Sequence, residues 1–226
     1  ETISVSMDEN FEITEDSILS AINNGVKIVF LTSPNNPTGR LIDKNFVSKI
    51  LQKDVLVIVD EAYYEFSGKT CIDLIDDYSN LVILRTFSKW AGLAGMRIGY
   101  GIMNPSLVSH LLIIKPPYNI SVAAEIAVKA SLDDLELLLE RVEIIKNERE
   151  WMFDRLSEIP FMEPIPSDAN FILTKIVNLE SVELYNRLLS KGILVRYYEN
   201  ELLKNYLRIS IGSREQNQKL LDFIKQ

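Results

Sequence analysis

The sequence has only one cysteine, Cys71, and one histidine, His110, among its 226 residues. A single cysteine excludes an internal disulfide framework and is typical of a reducing compartment, so we expect a cytoplasmic protein. Zinc sites made from cysteine and histidine are excluded because one residue of each is too few to form such a site. A serine-histidine-aspartate triad is not indicated, so any general base must be a lysine, aspartate, glutamate or tyrosine.

Long apolar runs and basic runs are also missing. No stretch approaches the roughly 18 consecutive apolar residues that indicate a membrane span, and no secretory signal pattern is visible. The formal net charge is −8 and lysines and arginines do not cluster, so a nucleic-acid partner is not expected. Neither a G-x-G-x-x-G motif after a strand nor a P-loop is found, which disfavours a nucleotide-binding α/β protein.

The first half of the chain contains three apolar runs of strand length, at Val26–Leu31, Asp54–Asp60 and Asn80–Thr86. Valine, isoleucine and leucine follow one another there without alternation, as in strands that are covered on both faces. A segment with helical spacing, Leu41–Lys53, separates the first two runs. The pattern predicts an α/β fold with a mainly parallel, doubly wound sheet. Met96–Met103 follows too soon for a helical crossover, so we expect an antiparallel fourth strand.

The second half has a different pattern. Helical segments from Ser121 onward lead to the proline-rich break Ile159–Asp168, after which a strand, a helix, two short strands and a last helix from Arg214 follow. This order predicts a small α+β domain. We place the boundary near residue 140, with domains at 1–140 and 141–226. At the other end, the segment from Glu1 indicates a strand, a turn and a helix inside a domain, so we expect further chain upstream.

Polar side chains follow each of the three predicted strands. In open α/β sheets, ligands bind outside the carboxyl ends of the strands. The three ends supply an amide, a carboxylate, a phenol, two hydroxyls and an amine, from Asn35, Asn36, Asp60, Tyr63, Thr86, Ser88 and Lys89. A lysine near hydroxyls, with a carboxylate one strand away, suits a cofactor that forms a Schiff base and has a pyridinium nitrogen.

Four ordered motifs carry a family resemblance. "SPNNPTG", "DEAYYEF", "RTFSKWAGLAGMRIGY" and "LRISIG" resemble the fold-type I aminotransferases that use pyridoxal 5′-phosphate. The resemblance covers nearly the whole chain and is closest to the histidinol-phosphate aminotransferase branch. It implies transamination between an L-amino acid, most simply L-histidinol phosphate, and 2-oxoglutarate. It also implies that the Asn36–Pro37 peptide bond is cis.

The resemblance also implies roles for single residues around the cofactor. The catalytic residues would be Lys89, Asp60 and Tyr63. Lys89 would form the Schiff base and shuttle a proton as a neutral amine, which a desolvated site would favour. Asp60 would bind the pyridine nitrogen, while Asn36 and Tyr63 would donate to the cofactor's 3′ oxygen. The phosphate of the cofactor would be held by Thr86, Ser88 and Arg97.

The substrate would be bound by arginines near the end of the chain. Arg208 would take the α-carboxylate with a two-pronged guanidinium contact, and Asn36 would assist. Arg196 would bind the phosphate of histidinol phosphate. No metal ligands are expected.

Some elements of the family have no counterpart in this chain. They are a glycine-containing phosphate loop, an aromatic residue that stacks on the pyridine ring, and a tyrosine supplied by the second subunit of a homodimer. We expect them to lie upstream of Glu1. The homodimer itself is an expectation from the resemblance alone.

Alternatives remain at this point. An aromatic aminotransferase or a phosphothreonine decarboxylase would share the cofactor motifs, because they do not determine which substrate bond breaks. A chain lacking the upstream elements could also be an inactive fragment that acts only as a binding module.

Overall fold

The computed structural model describes residues 1–225 and divides the chain into two compact units. The first unit comprises Glu1–Ser33 and Leu41–Leu138, and the second comprises Pro34–Arg40 and Leu139–Gln226. The loop Pro34–Arg40 therefore groups with the second unit, whereas a single cut near residue 140 assigns it to the first domain. This difference arises because the loop makes its hydrogen bonds and side-chain contacts with residues that come much later in the chain.

The first unit contains a four-stranded sheet in the order β1-β2-β3-β4. Its strands are β1 (Ile28–Thr32), β2 (Leu56–Asp60), β3 (Leu81–Thr86) and β4 (Gly99–Met103). The first three are parallel and β4 is antiparallel to β3, which confirms the predicted α/β class and the predicted reversal at the fourth strand. Its helices are α1 (Glu15–Asn23), α2 (Lys44–Leu51), α3 (Tyr64–Ser67), α4 (Pro105–Ile114) and α5 (Val122–Asp133).

The core of this unit lies on one side of the sheet. Val57, Val59, Leu81 and Ile83 are fully buried there, together with the apolar face of α2. Asp43 caps α2, because its side chain accepts a hydrogen bond from the Asn45 backbone at 2.7 Å. Because β2 and β3 are parallel neighbours, their carboxyl ends lie at the same end of the sheet, and the residues that follow them lie beside each other.

Two expectations for the first unit are wrong. β1 is not covered on both faces, because Ile28 and Phe30 are 48% and 71% exposed. β1 is the edge strand of the described sheet, and the face that carries Ile28 and Phe30 is open within residues 1–225. Residues 1–8 form no strand, because the described residues offer their backbone no ladder partner.

The second unit contains an antiparallel sheet in the order β5-β6-β8-β7. The strands are β5 (Met162–Pro164), β6 (Phe171–Ile176), β7 (Arg196–Tyr197) and β8 (Tyr206–Ser210), and the helices are α7 (Ser181–Ser190) and α8 (Arg214–Ile224). The long helix α6 (Leu135–Ser157) contains the division between the units. β5 is an addition to the predicted elements: it lies inside the proline-rich break, where Pro164 ends it.

The core of the second unit is formed by β6, β8 and the apolar faces of α6, α7 and α8. Its fully buried side chains include Met152, Leu156, Ile172, Leu184 and Leu207. Helix α8 begins with a capping box, in which Ser213 and Gln216 each bond the other's backbone N–H. None of the helices within residues 1–225 is long and apolar enough to cross a bilayer.

Candidate active site

The predicted site residues fall into two groups, one in each unit. Asp60, Tyr63, Thr86, Ser88, Lys89 and Arg97 lie in the first unit, and Asn36, Arg196 and Arg208 lie in the second. Each group is described by itself.

In the first unit, Asp60 is the last residue of β2 and Thr86 is the last residue of β3. Asp60 Oδ1 accepts a hydrogen bond from the Ala62 backbone at 3.0 Å, so one carboxylate oxygen fixes the start of the following turn. The backbone of Asp60 is held from the other side, because the Ser33 N–H donates to its carbonyl at 2.9 Å. The strand end thus has a fixed position.

Tyr63 and Lys89 lie close to each other. The Lys89 amine is 5.7 Å from the centre of the Tyr63 ring, within range of a cation–π contact. Tyr63 is 5% exposed, whereas the Lys89 side chain is exposed. The desolvated lysine expected from the sequence is therefore not formed by residues 1–225 alone, since they do not bury this side chain.

Two hydroxyls at the end of β3 form a hydrogen bond with each other. Thr86 Oγ1 is 2.8 Å from Ser88 Oγ, and the Ser88 backbone N–H donates to Thr86 Oγ1 at 3.0 Å. The two groups thus form a small polar cluster at the start of the turn that leads to Lys89.

Arg97 follows at the end of a short 3-10 turn, Ala94–Met96, with a left-handed backbone (φ 55°). Its Nη1 donates to the Ala94 carbonyl at 3.0 Å, and the side chain is exposed. Its remaining guanidinium donors are available for an anion.

In the second unit, Arg208 of β8 contacts Asn36. Arg208 Nη1 donates to Asn36 Oδ1 at 2.6 Å, although 172 positions separate the two residues in the sequence. The Asn36–Pro37 bond is cis, as the resemblance implied. The Arg208 guanidinium carbon lies 5.0 Å from the centre of the Phe171 ring. Its Nε is buried and has no hydrogen-bond partner within the described residues.

Arg196 of β7 lies directly opposite Arg208 in the antiparallel pairing of these strands. Directly opposite residues point to the same face of a sheet, so two positive charges share one face here. Like charges in this arrangement repel each other, which makes the face suited to an anion.

The loop that carries Asn36 is held by short contacts. The Asp168 N–H donates to the Gly39 carbonyl at 2.8 Å, and the Gly39 N–H donates to the Asn35 carbonyl at 2.7 Å. The side chain of Asn35 accepts from Thr38 Oγ1 at 3.1 Å, so Asn35 does have the turn role expected of it. A Cβ atom on Gly39 would lie 2.0 Å from Ser167 Oγ, which leaves no room for any side chain at position 39.

The sequence reasoning missed a buried ion pair beside the first group. Glu61, directly after Asp60, is 1% exposed and bonds Arg85 of β3 at 2.9 and 3.1 Å. A signal was present, because an arginine inside the apolar run "LVILRT" needs a buried partner, and "DE" follows the neighbouring strand.

Comparison with known proteins gives consistent matches. The family model for aminotransferase class I and II matches residues 1–224. A histidinol-phosphate aminotransferase of Dehalococcoides mccartyi is 43% identical over 219 residues, which are 97% of this chain and 61% of the relative. The chain thus spans about three fifths of the length of that curated relative.

Solved structures agree with this result. The histidinol-phosphate aminotransferase from Clostridium acetobutylicum matches with a TM-score of 0.90 and 33% identity, over 97% of this chain and 69% of that one. The enzyme from Sinorhizobium meliloti, solved in complex with pyridoxal 5′-phosphate, matches with a TM-score of 0.85 and 26% identity, over 99% and 64%.

Proposed function

This chain belongs to the family of class I and II aminotransferases, and on that premise we propose that it takes part in transamination that depends on pyridoxal 5′-phosphate. The amino donor we propose is L-histidinol phosphate, with 2-oxoglutarate as the acceptor. The observation that carries the proposal is the paired arginine face of β7 and β8. Two guanidinium groups on one face match the phosphate of histidinol phosphate and the two carboxylates of 2-oxoglutarate.

The residues of the first unit fit the cofactor by the chemistry of their donors. A carboxylate ends β2, a phenol follows it, and two bonded hydroxyls precede a lysine after β3. Bound pyridoxal phosphate supplies an electron-withdrawing ring that stabilises negative charge at the substrate Cα. We propose that Asp60 holds the proton on the ring nitrogen, and that the cofactor phosphate is bound by Thr86, Ser88 and Arg97.

Lys89 has the central role in this proposal. Its Nζ would hold the cofactor covalently and, as a neutral amine, would accept the proton that leaves the substrate Cα. Tyr63, close to this amine, and Asn36 donate to the 3′ oxygen. Both donors fix the orientation of the ring.

Arg208 binds the α-carboxylate of 2-oxoglutarate and of the glutamate formed from it, since L-histidinol phosphate has a phosphate and no carboxylate. Its buried, unpartnered Nε supports this role, because a carboxylate would supply the missing acceptor. The bond from Arg208 to Asn36 links this carboxylate site to a residue proposed to bind the cofactor. Arg196 binds the phosphate of the donor, for which its position opposite Arg208 gives support.

The proposal includes the cellular compartment and the oligomeric state. We propose a cytoplasmic homodimer; the single buried cysteine agrees with a reducing compartment. Leu112, Ile113 and Ile114 of α4 are 59%, 81% and 75% exposed, an apolar surface that agrees with association.

An amine-donor screen tests the substrate. The chain is loaded with pyridoxal phosphate and mixed with L-histidinol phosphate, L-phenylalanine or O-phospho-L-threonine in turn. We expect the visible absorbance of the bound cofactor to change with histidinol phosphate, and 2-oxoglutarate to restore it. Conversion of phenylalanine without conversion of histidinol phosphate would establish an aromatic aminotransferase instead, and release of carbon dioxide from phosphothreonine would establish a decarboxylase.

A further inference from the structure

The first unit contains a buried ion pair that the proposed function does not use. Glu61 and Arg85 are 1% and 9% exposed in their side chains, and Arg85 contacts the same carboxylate oxygen through Nε and Nη2. Burying two charges is expensive unless their geometry is good and their other hydrogen bonds are satisfied. This pair meets both conditions, so the cost of burying its two charges is offset by its contacts.

The other hydrogen bonds of the pair connect distant parts of the unit. Thr70 Oγ1 lies 2.9 and 2.8 Å from the two carboxylate oxygens of Glu61 and accepts from Arg85 Nη2 at 2.8 Å. The Cys71 backbone N–H donates to Glu61 Oε1 at 2.7 Å. The Arg85 guanidinium carbon lies 3.5 Å from the centre of the Tyr64 ring. We call Glu61, Thr70, Arg85 and Tyr64 the clamp.

Three members of the clamp are each next to a proposed cofactor residue in the sequence. Glu61 follows Asp60, Arg85 precedes Thr86 and Tyr64 follows Tyr63. Successive side chains on a strand point to opposite faces, so Arg85 and Thr86 occupy opposite sides of β3. The Glu61 N–H also donates to the Leu84 carbonyl at 2.8 Å, which ties the end of β2 to β3 on the backbone as well.

We infer that the clamp is a positioning device for the cofactor site: the bonds of Glu61 to Arg85 and Thr70 hold the ends of β2 and β3 so that Asp60, Tyr63 and Thr86 keep their mutual spacing. The inference rests on the proposed function. None of the clamp side chains needs to touch the cofactor. A displacement of about 1 Å in a group that binds the reacting molecule can change a rate by about 100-fold.

A second ion pair, with a buried carboxylate and an arginine side chain that is 56% exposed, provides the control. In the second unit, Glu148 is 8% exposed and bonds Arg214 Nε at 2.8 Å, and the Arg214 guanidinium carbon lies 3.9 Å from the centre of the Trp151 ring. Asn217 Nδ2 donates to Glu148 Oε2 at 2.9 Å. This pair has the same chemistry as the clamp, but none of its members is next to a proposed cofactor residue.

The experiment compares Glu61→Gln, Thr70→Val and Arg85→Lys with the control Glu148→Gln. The dissociation constant of pyridoxal phosphate and the pH dependence of the bound cofactor's visible absorbance are measured for each. Hydrogen exchange without cofactor reports on the amides of Glu61 and Ala62, which bond the Leu84 carbonyl and Asp60 Oδ1. Thr70→Val and Arg85→Lys decide the question if Glu61→Gln does not fold.

We expect Glu61→Gln to weaken cofactor binding by about 10-fold or more, since outer partners of binding groups typically contribute 10- to 100-fold. It should also shift the pH dependence of the absorbance and accelerate exchange at the two amides. Thr70→Val and Arg85→Lys should change the same quantities in the same direction. Glu148→Gln should lower stability to urea and leave the cofactor readouts unchanged.

The inference is overturned if the clamp variants lose stability as Glu148→Gln does but bind cofactor with the dissociation constant and pH profile of the unsubstituted chain. Failure of the unsubstituted chain itself to bind pyridoxal phosphate is a different result: it contradicts the proposed function, and the clamp then has no site to position.

Discussion

Replacing Gly39 by alanine tests how the loop that carries Asn36 is held. Gly39 has a left-handed backbone (φ 73°), and an added Cβ would lie 2.0 Å from Ser167 Oγ and 2.6 Å from Ser167 Cβ. Gly68 offers a matched control, because it has a similar φ of 67° and nothing within 4 Å of its added Cβ. The two substitutions share the backbone effect, and the collision is specific to the buried position 39.

The magnitudes follow from these two terms. A left-handed conformation destabilises alanine relative to glycine by about 1 kcal/mol, so Gly68→Ala should lower the free energy of unfolding by that amount. Forcing extra atoms into a packed contact adds about 1–3 kcal/mol. We therefore expect Gly39→Ala to lower it by about 2–4 kcal/mol.

Urea unfolding of the two variants measures the difference. Adding Ser167→Gly removes the two nearest atoms that the new Cβ would meet and leaves Ser167 Cα at 3.0 Å, so Gly39→Ala should cost less in that background than in the unsubstituted chain. Equal destabilisation of Gly39→Ala and Gly68→Ala in the unsubstituted background would refute the close contact. So would a penalty at position 39 that Ser167→Gly leaves unchanged.

The remaining predictions concern charged groups. Burial raises the pKa of the Glu65 carboxyl from 4.5 to about 7, so its destabilising effect is absent below pH 4.5 and complete above about pH 7. Glu65→Gln should therefore raise the free energy of unfolding by about 1–2 kcal/mol at pH 8, a value discounted for partial exposure, and by much less at pH 5; equal gains at both pH values in urea titrations would contradict this. Arg208→Lys removes the two-pronged contact and should weaken binding of 2-oxoglutarate by about 10- to 100-fold in an absorbance titration, whereas an unchanged affinity would remove Arg208 from the carboxylate site. Arg196→Gln relieves the repulsion from Arg208 and should stabilise the apo chain by about 0.5 kcal/mol while weakening binding of histidinol phosphate; a loss of stability would show that the two charges do not repel.

Much of the fold could be predicted because the local signals agree with the tertiary arrangement. The apolar runs before Asp60 and Thr86 form β2 and β3, and the short spacing to Met96–Met103 correctly indicated an antiparallel β4. The fully buried side chains Val57, Val59, Leu81 and Ile83 of these strands are apolar, so the strands could be identified from local composition.

The differences from the sequence-based expectations lie where a segment depends on distant partners. β1 has the composition of a strand buried on both faces, yet Phe30 is 71% exposed, because composition does not tell what packs on an edge strand. The grouping of Pro34–Arg40 with the second unit depends on bonds to Asp168 and Arg208, which no local pattern reveals.

In the candidate site, too, features with a local sequence signal could be predicted and features that depend on distant partners could not. The motifs indicated the types of residue at the strand ends, and the structure places Tyr63 beside Lys89 and Asn36 beside Arg208. Glu61 was missed because a charged residue after a strand is usually solvated. The signal for its burial lies in its partner Arg85, 24 positions away inside an apolar run, and not in the residues around Glu61.

The central claim is that Lys89 holds pyridoxal phosphate covalently, and reduction with borohydride tests it most directly. The chain is incubated with pyridoxal phosphate, reduced, digested and analysed by mass spectrometry, with Lys89→Ala treated in parallel. We expect the mass of the reduced cofactor on the peptide that contains Lys89, and no specific label in the variant. A label on other lysines only, or a label that Lys89→Ala retains at the same stoichiometry, would contradict the account.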